Sequence, residues 1–135
     1  MKINIGCGPK KIDGYFGVDK EDFGQDYIVN IEKEKLPFAD NSIEEILCEH
    51  MLEHLNDPMF AVNEFWRVLT PEGKLIIIVP HRSGSKAYVI DHKCYYDENS
   101  FNSLEYQYKN KWKIIECLVN KRPDVVIVLK PVKQI

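Results

Sequence analysis

Long apolar runs are missing from this chain. No stretch approaches the roughly 18 uninterrupted apolar residues of a membrane-spanning helix, so no membrane association of that kind is expected. Strand-like sequence begins at Lys2, which leaves no room for a secretory leader. Closely spaced cysteines are missing too. The four present, Cys7, Cys48, Cys94 and Cys117, form no Cys-x-x-Cys unit, which speaks against a disulfide framework or zinc ribbon and for free thiols in a reducing, cytoplasmic setting. Internal repeats, low-complexity segments and linkers are also absent. The 135 residues are therefore expected to form one domain, 1–135, whose core draws on a 44% hydrophobic content.

A strong overall charge is lacking as well, since 18 basic side chains face 21 acidic ones for a net charge of -3. The balance is uneven along the chain. Residues 1–106 hold 11 basic and 19 acidic groups, whereas residues 107–135 hold 7 and 2. The acidic bulk disfavours a dedicated nucleic-acid binder, although the basic end offers an anionic partner some purchase. Lys109, Lys111 and Lys113 alternate with Asn110 and Trp112 as the solvent face of a strand would.

What is there alternates strand and helix. Apolar runs cover Ile3 to Ile5, Tyr15 to Asp19, Tyr27 to Ile31 and Ile43 to Cys48. A helix is predicted from Pro58 to Leu69: Asp57 can cap it, Pro58 suits its first position, and Ala61, Phe65, Val68 and Leu69 share one face. Thr70-Pro71-Glu72-Gly73 reads as a turn, and Lys74 to Val79 as a central strand buried on both faces. A second helix is predicted over Glu98 to Tyr108. Two last strands, about Lys113 to Val119 and Val125 to Leu129, face each other across Asn120 to Asp124 as an antiparallel hairpin. The pattern implies an α/β fold: a Rossmann-like, mostly parallel sheet with an antiparallel C-terminal hairpin.

The most informative local feature is the first strand running into Gly6-Cys7-Gly8, with Asp19 at the end of the next apolar stretch. That order puts a glycine turn and a carboxylate at neighbouring strand ends, where the ribose of a nucleoside-bearing cofactor can sit. The first crossover is short, with only residues 6 to 15 available, so a full helix hardly fits. Lys11 also stands where a dinucleotide fingerprint has its third glycine, which argues against NAD or FAD. A cofactor with ribose and adenine but no phosphate would not miss that helix.

The chain resembles the class I S-adenosylmethionine-dependent methyltransferases, as a small type 11-like member, at five places in order. Ile5-Gly6-Cys7-Gly8 is similar to their first motif, Gly17-Val18-Asp19 to the acidic end of strand two, and Leu36 to Ile43 to the approach to strand four. His50 to Leu55 is similar to the segment after strand four, and Glu64 to Pro80 to the helix, turn and strand five. Asp91-His92 and Tyr95-Tyr96 agree too, so the likeness covers about residues 2 to 105.

The resemblance implies S-adenosylmethionine as cofactor and methyl transfer to an unidentified acceptor by direct displacement on a sulfonium. Gly6, Cys7 and Gly8 would lie along the cofactor's methionine half, and Asp19 would accept from both ribose hydroxyls. Asn30 and Ile31 would meet adenine, the amide of Asn30 standing where relatives carry a carboxylate. Glu49 and His50 would face the reacting methyl. His81 and Arg82 would border the acceptor, with His81 or His50 available as base if the acceptor loses a proton. The missing first helix and the short region after strand five imply an open acceptor pocket, suited to a large substrate, a homodimer or a partner subunit.

Two other readings stand beside this one. A non-catalytic module that only binds S-adenosylmethionine or S-adenosylhomocysteine fits the small size. His50, Glu53 and His54 also satisfy His-x-x-Glu-His, a zinc-hydrolase signature, although the strand context assigns no metal to the methyltransferase site.

Overall fold

The structure is a computed structural model that describes residues 1–108 and 110–134. Seven strands form one sheet: β1 (Lys2–Ile5), β2 (Phe16–Asp19), β3 (Tyr27–Ile28), β4 (Ile43–Glu49), β5 (Leu69–Pro80), β6 (Trp112–Val119) and β7 (Asp124–Pro131). Their order is β3-β2-β1-β4-β5-β7-β6. The first five are parallel, while β7 runs antiparallel to both β5 and β6. The Rossmann-like expectation holds, including the closing hairpin and a β1–β2 crossover that contains no helix.

The helix α1 (Pro58–Val68) forms for the expected reasons. Asp57 Oδ1 accepts from the Met59 N–H at 3.0 Å, Pro58 opens the first turn, and Ala61, Phe65 and Val68 are fully buried. Leu69 leaves the helix and begins β5. The core lies on the α1 side of the sheet, where Ile3, Ile46, Leu75, Ile77, Ile127 and Leu129 meet Phe65 and Trp112.

Several sequence expectations need correction. The helix predicted over Glu98 to Tyr108 is only a 3-10 turn at Asn102–Glu105. Short polar side chains capture the backbone there: Ser100 Oγ accepts from the Asp97 N–H and Asp97 Oδ1 from the Asn99 N–H, in competition with helical bonds. The third strand stops at Ile28 because Asn30 Oδ1 accepts from the Glu32 N–H and turns the chain. Thr70 to Gly73 is no free turn but a bulge inside β5, with pairing passing from Ile43↔Leu69 to Glu45↔Lys74. Gly73 has no room for a side chain, since a Cβ would stand 2.9 Å from Leu69 Cδ2. Of the alternating lysines only Lys113 lies on a strand, Lys111 precedes it, and Lys109 falls outside the described residues.

The strand thought to be buried on both faces is buried on one. Leu75, Ile77 and Val79 are sealed, whereas Ile76 and Ile78 are half-buried beside Leu47, Val126 and Val128. Right-handed crossovers put the β3–β4 connection and α1 on the same face, so the opposite face depended on the β1–β2 and β2–β3 connections. Both are short and carry no helix.

The β3–β4 crossover is clamped to α1 by one arginine. Arg67 donates to Glu64 and Asp40 and to the carbonyls of Leu36 and Phe38, while Glu64 Oε1 accepts from the Leu36 N–H at 2.8 Å. Burial alone would push the Glu64 carboxyl up, but the Arg67 and Leu36 bonds outweigh it and hold it below the ordinary range. A carboxyl depressed in the folded state takes up its proton more readily when unfolded. Its contribution is therefore intact above the ordinary glutamate value of about 4.3 and is lost as pH falls through the folded value. Urea midpoints followed from about pH 7 to about pH 3 should fall on the acid side, and Glu64→Gln should flatten that fall.

Candidate functional site

One cleft of about 500 Å³ opens over the ends of β1, β2 and β4, at the point where the sheet order reverses. Gly6 closes β1 with φ of 72°, a left-handed conformation that glycine adopts without strain, and its N–H donates to the Val18 carbonyl at 2.8 Å. A Cβ at Gly6 would overlap Met51 Cγ and stand 2.7 Å from Met51 Cβ. Asp19 ends β2, one strand away. Its Oδ2 accepts from the Gly8 N–H at 2.9 Å and its Oδ1 from the Glu21 N–H at 3.1 Å, so the carboxylate is held in place while each oxygen keeps accepting capacity.

The cleft joins Gly6, Asp19, Asn30, Ile31 and His50, five of the residues singled out in the sequence. Ile5, Val18, Val29, Ile31, Met51 and Leu55 give it apolar walls. Cys7 and Glu49 line a smaller recess of about 280 Å³ that shares Gly6 and His50 with the cleft and also contains Lys10 and Arg122. Lys10 lies 3.3 Å from Glu49 at its edge.

Cys7 turns its side chain away from the cleft onto Gly17, where a Cβ would meet its Sγ at 2.9 Å. Burial, then the negative charge of Asp19, pushes its thiol up, so it offers no thiolate. Gly8 lies outside the cleft and the recess and lines a neighbouring depression of about 450 Å³ with Asn4, Lys11 and Gly17. It has φ of 55°, a Cβ there would meet nothing within 4 Å, and its N–H donates to Asp19.

The two histidines part company. His81 is outside the lining of both pockets, with Nδ1 at 2.7 Å from Ser83 Oγ and Nε2 at 2.7 Å from Glu98 Oε2. Arg82 contacts Asp97 at 3.7 Å, also away from the lining. His50 lies on the cleft wall with φ of 51°, an unusual backbone state for a residue with a side chain. Its Nε2 stands 3.2 Å from Asp124 Oδ1, a close approach without the alignment of a hydrogen bond.

Asp124 itself is 1% exposed and also meets Lys86 Nζ at 3.1 Å. Asn120 holds it there, since Asn120 Oδ1 accepts from the Arg122 and Asp124 N–H groups. Sequence reading missed Asp124. The usable signal was that an antiparallel β7 beside β5 brings its first residue against Pro80, the end of the strand next to β4.

His-x-x-Glu-His does not form a helical metal site. The segment makes a single 3-10 turn, Leu52–His54, and His50 faces Asp124 instead. Glu53 is 1% exposed, and burial pushes its carboxyl up against the opposing influence of His54, His50 and His92. No helix among the described residues is long and apolar enough to cross a membrane.

Comparison with known proteins agrees with this fold. Residues 16–77 match the family model of a methyltransferase domain. An uncharacterized protein of Methanocaldococcus jannaschii is 45% identical over 47 residues, which is 35% of this chain and only 20% of that protein. A chain of the complex between the Haloferax volcanii Trm112 methyltransferase activator and a methyltransferase superposes with a TM-score of 0.77 at 13% identity, covering 99% of this chain and 82% of that one. An S-adenosylmethionine-dependent methyltransferase from Aquifex aeolicus superposes with a TM-score of 0.73 at 15% identity, covering 97% and 81%. Residues 16–77 thus carry a segment that matches a methyltransferase domain, and the chain as a whole shares the fold of these methyltransferase structures.

Proposed function

We propose that this protein binds S-adenosylmethionine in the cleft and transfers its methyl group to an acceptor that enters from the open side. The observation that carries this reading is the convergence of the Gly6 turn, the Asp19 carboxylate and the Asn30–Ile31 segment on one apolar-walled cleft. When bound, the cofactor supplies an electrophilic methyl on a positively charged sulfur. Asp19 would accept from the ribose hydroxyls with the capacity its two backbone N–H partners leave. Asn30 would meet adenine through its amide, whose NH2 group can donate to a ring nitrogen and whose oxygen, accepting one bond from the Glu32 N–H, keeps a lone pair for the adenine amino group. Gly6 and Glu49 would flank the methionine half.

Methyl displacement gains most from alignment of donor and acceptor. His50, rather than His81, would take a proton from the acceptor, because it lines the cleft and Asp124 beside its Nε2 would stabilise the imidazolium that forms. Asp124 is then a positioning residue. Asp124→Asn should lower kcat about tenfold, roughly 1.4 kcal/mol, while affinity for S-adenosylhomocysteine stays unchanged. Equal turnover in the variant would remove proton transfer at His50 from the mechanism.

The acceptor is unidentified. An open cleft on a short chain fits a large acceptor, a second copy or a partner subunit, as in the Haloferax methyltransferase held by its activator. Four unpaired cysteines fit a cytoplasmic setting. Tritiated S-adenosylmethionine incubated with the protein and with separated small-molecule, lipid, protein and RNA pools should label one pool. Tight binding of S-adenosylhomocysteine with no label in any pool, with or without added extract, would favour the non-catalytic binding module.

A further inference from the structure

The carboxyl group of Glu53 lies buried behind the cleft-lining residues Met51 and His54, with no use in the reading above. It is 1% exposed, and its Oε1 is buried without any hydrogen-bond partner. Burying a carboxyl oxygen away from water without a partner is costly, and such atoms are usually satisfied by a hydrogen bond, a water or an ion. Two imidazoles stand beside it. His54 and His92 pack edge to face with ring centroids 4.6 Å apart, and one donor atom each from Glu53, His54 and His92 lie within 4.8 Å of one another.

Each ring is braced from behind. His92 Nδ1 lies 3.2 Å from the Ala87 carbonyl and His54 Nδ1 lies 3.4 Å from Asp91 Oδ2, which leaves Nε2 as the free nitrogen of both. This is the outer arrangement that orients histidines toward a metal, an oxygen acceptor on the far nitrogen of each ring. The two segments are also tied together, because the Glu53 carbonyl accepts from the Lys93 and Cys94 N–H groups at 2.6 and 3.2 Å.

We propose that Glu53, His54 and His92 bind a divalent first-row transition-metal ion, with zinc as the best match. Two imidazoles and one carboxylate suit zinc, cobalt, nickel or ferrous iron far better than magnesium or calcium. Bonds of about 2.0 to 2.2 Å would draw the donors to roughly 3.3 Å from one another, a closing that side-chain rotation can supply. Three protein donors leave one or more positions open. His54 and Asp91 line the cleft, so those positions face the space in which an acceptor would be held. His50 is not part of the set, and His92, remote in sequence, takes the place the His-x-x-Glu-His spacing assigned to it.

The test uses full-length protein prepared without a histidine tag, stripped with a chelator and titrated with Co(II), with zinc competition. One equivalent of cobalt should bind with the visible absorption of a low-coordinate N/O site, and zinc should displace it. His92→Ala, at a half-buried position, should weaken cobalt binding at least tenfold in a protein whose circular dichroism is unchanged. Asp91→Asn should weaken it less, while His50→Gln should leave it as in the parent. Absence of stoichiometric cobalt binding, or parent-like binding by His92→Ala, would overturn the proposal, and so would loss of binding in His50→Gln with retention in His92→Ala. Calorimetry with S-adenosylhomocysteine on the same stripped protein reads the cofactor site separately, so either site can fail alone.

Discussion

Asp19→Ala should weaken binding of S-adenosylmethionine and S-adenosylhomocysteine by about 1.5 to 3 kcal/mol, the range for a hydrogen bond to a charged group. That is roughly a 10- to 150-fold rise in Kd by calorimetry. The structure adds a second effect that must be separated from the first. Asp19 also accepts from the Gly8 and Glu21 N–H groups, and the side chain is half-buried. Removing it frees two donors close to solvent, which should cost stability about 1 kcal/mol or less. A ribose ligand thus predicts a Kd change well beyond any loss seen in urea denaturation. A merely structural carboxylate predicts the reverse, a lower midpoint with Kd unchanged.

Gly6→Ala should be the more damaging change for the fold. A side chain at φ of 72° carries a penalty of about 1 to 2 kcal/mol. Its Cβ would also overlap Met51, and displacing a packed neighbour adds about 1 to 3 kcal/mol. The clash involves Met51 Cβ as well as Cγ, so rotation of the methionine alone does not relieve it. Met51 lines the cleft, and any shift carries the wall with it. Gly6→Ala should therefore lose both stability, by about 2 to 5 kcal/mol in sum, and measurable cofactor binding. Gly8→Ala isolates the backbone part. It has a similar φ of 55° but open space around the added carbon, so its loss should stay near the strain penalty alone. Equal effects at the two positions would contradict the close packing of Met51 on Gly6.

Those two glycines show what was legible in the sequence and what was not. The turn after β1, the carboxylate ending β2, the capped helix α1 and the closing hairpin all rest on short-range chemistry: glycine conformation, a side-chain cap and apolar periodicity. Short-range rules apply to each of these locally, and each stands where it was expected. The division of labour between Gly6 and Gly8 depends on Met51, 45 residues after Gly6, which no local pattern encodes. The same holds for Asp124, brought to His50 by a hairpin whose tight end is organised by Asn120, and for His92, brought to Glu53 by two backbone hydrogen bonds.

The failed helix over Glu98 to Tyr108 has the opposite origin. A helix is predicted there, but Asp97, Asn99 and Ser100 supply local bonds that end a helix before it starts. The bare face over Ile76 and Ile78 was hidden for a third reason. Hydrophobicity along β5 is continuous whether or not a helix covers both faces, and only the missing helix between β1 and β2 tells them apart.

The decisive measurement is a crystal structure of the full chain with S-adenosylhomocysteine. The ribose should lie against Asp19, the adenine beside Asn30 and Ile31, and the sulfur near Gly6 and His50. A ligand lodged away from Asp19, or a cleft that stays without ligand at saturating concentration, would contradict the account.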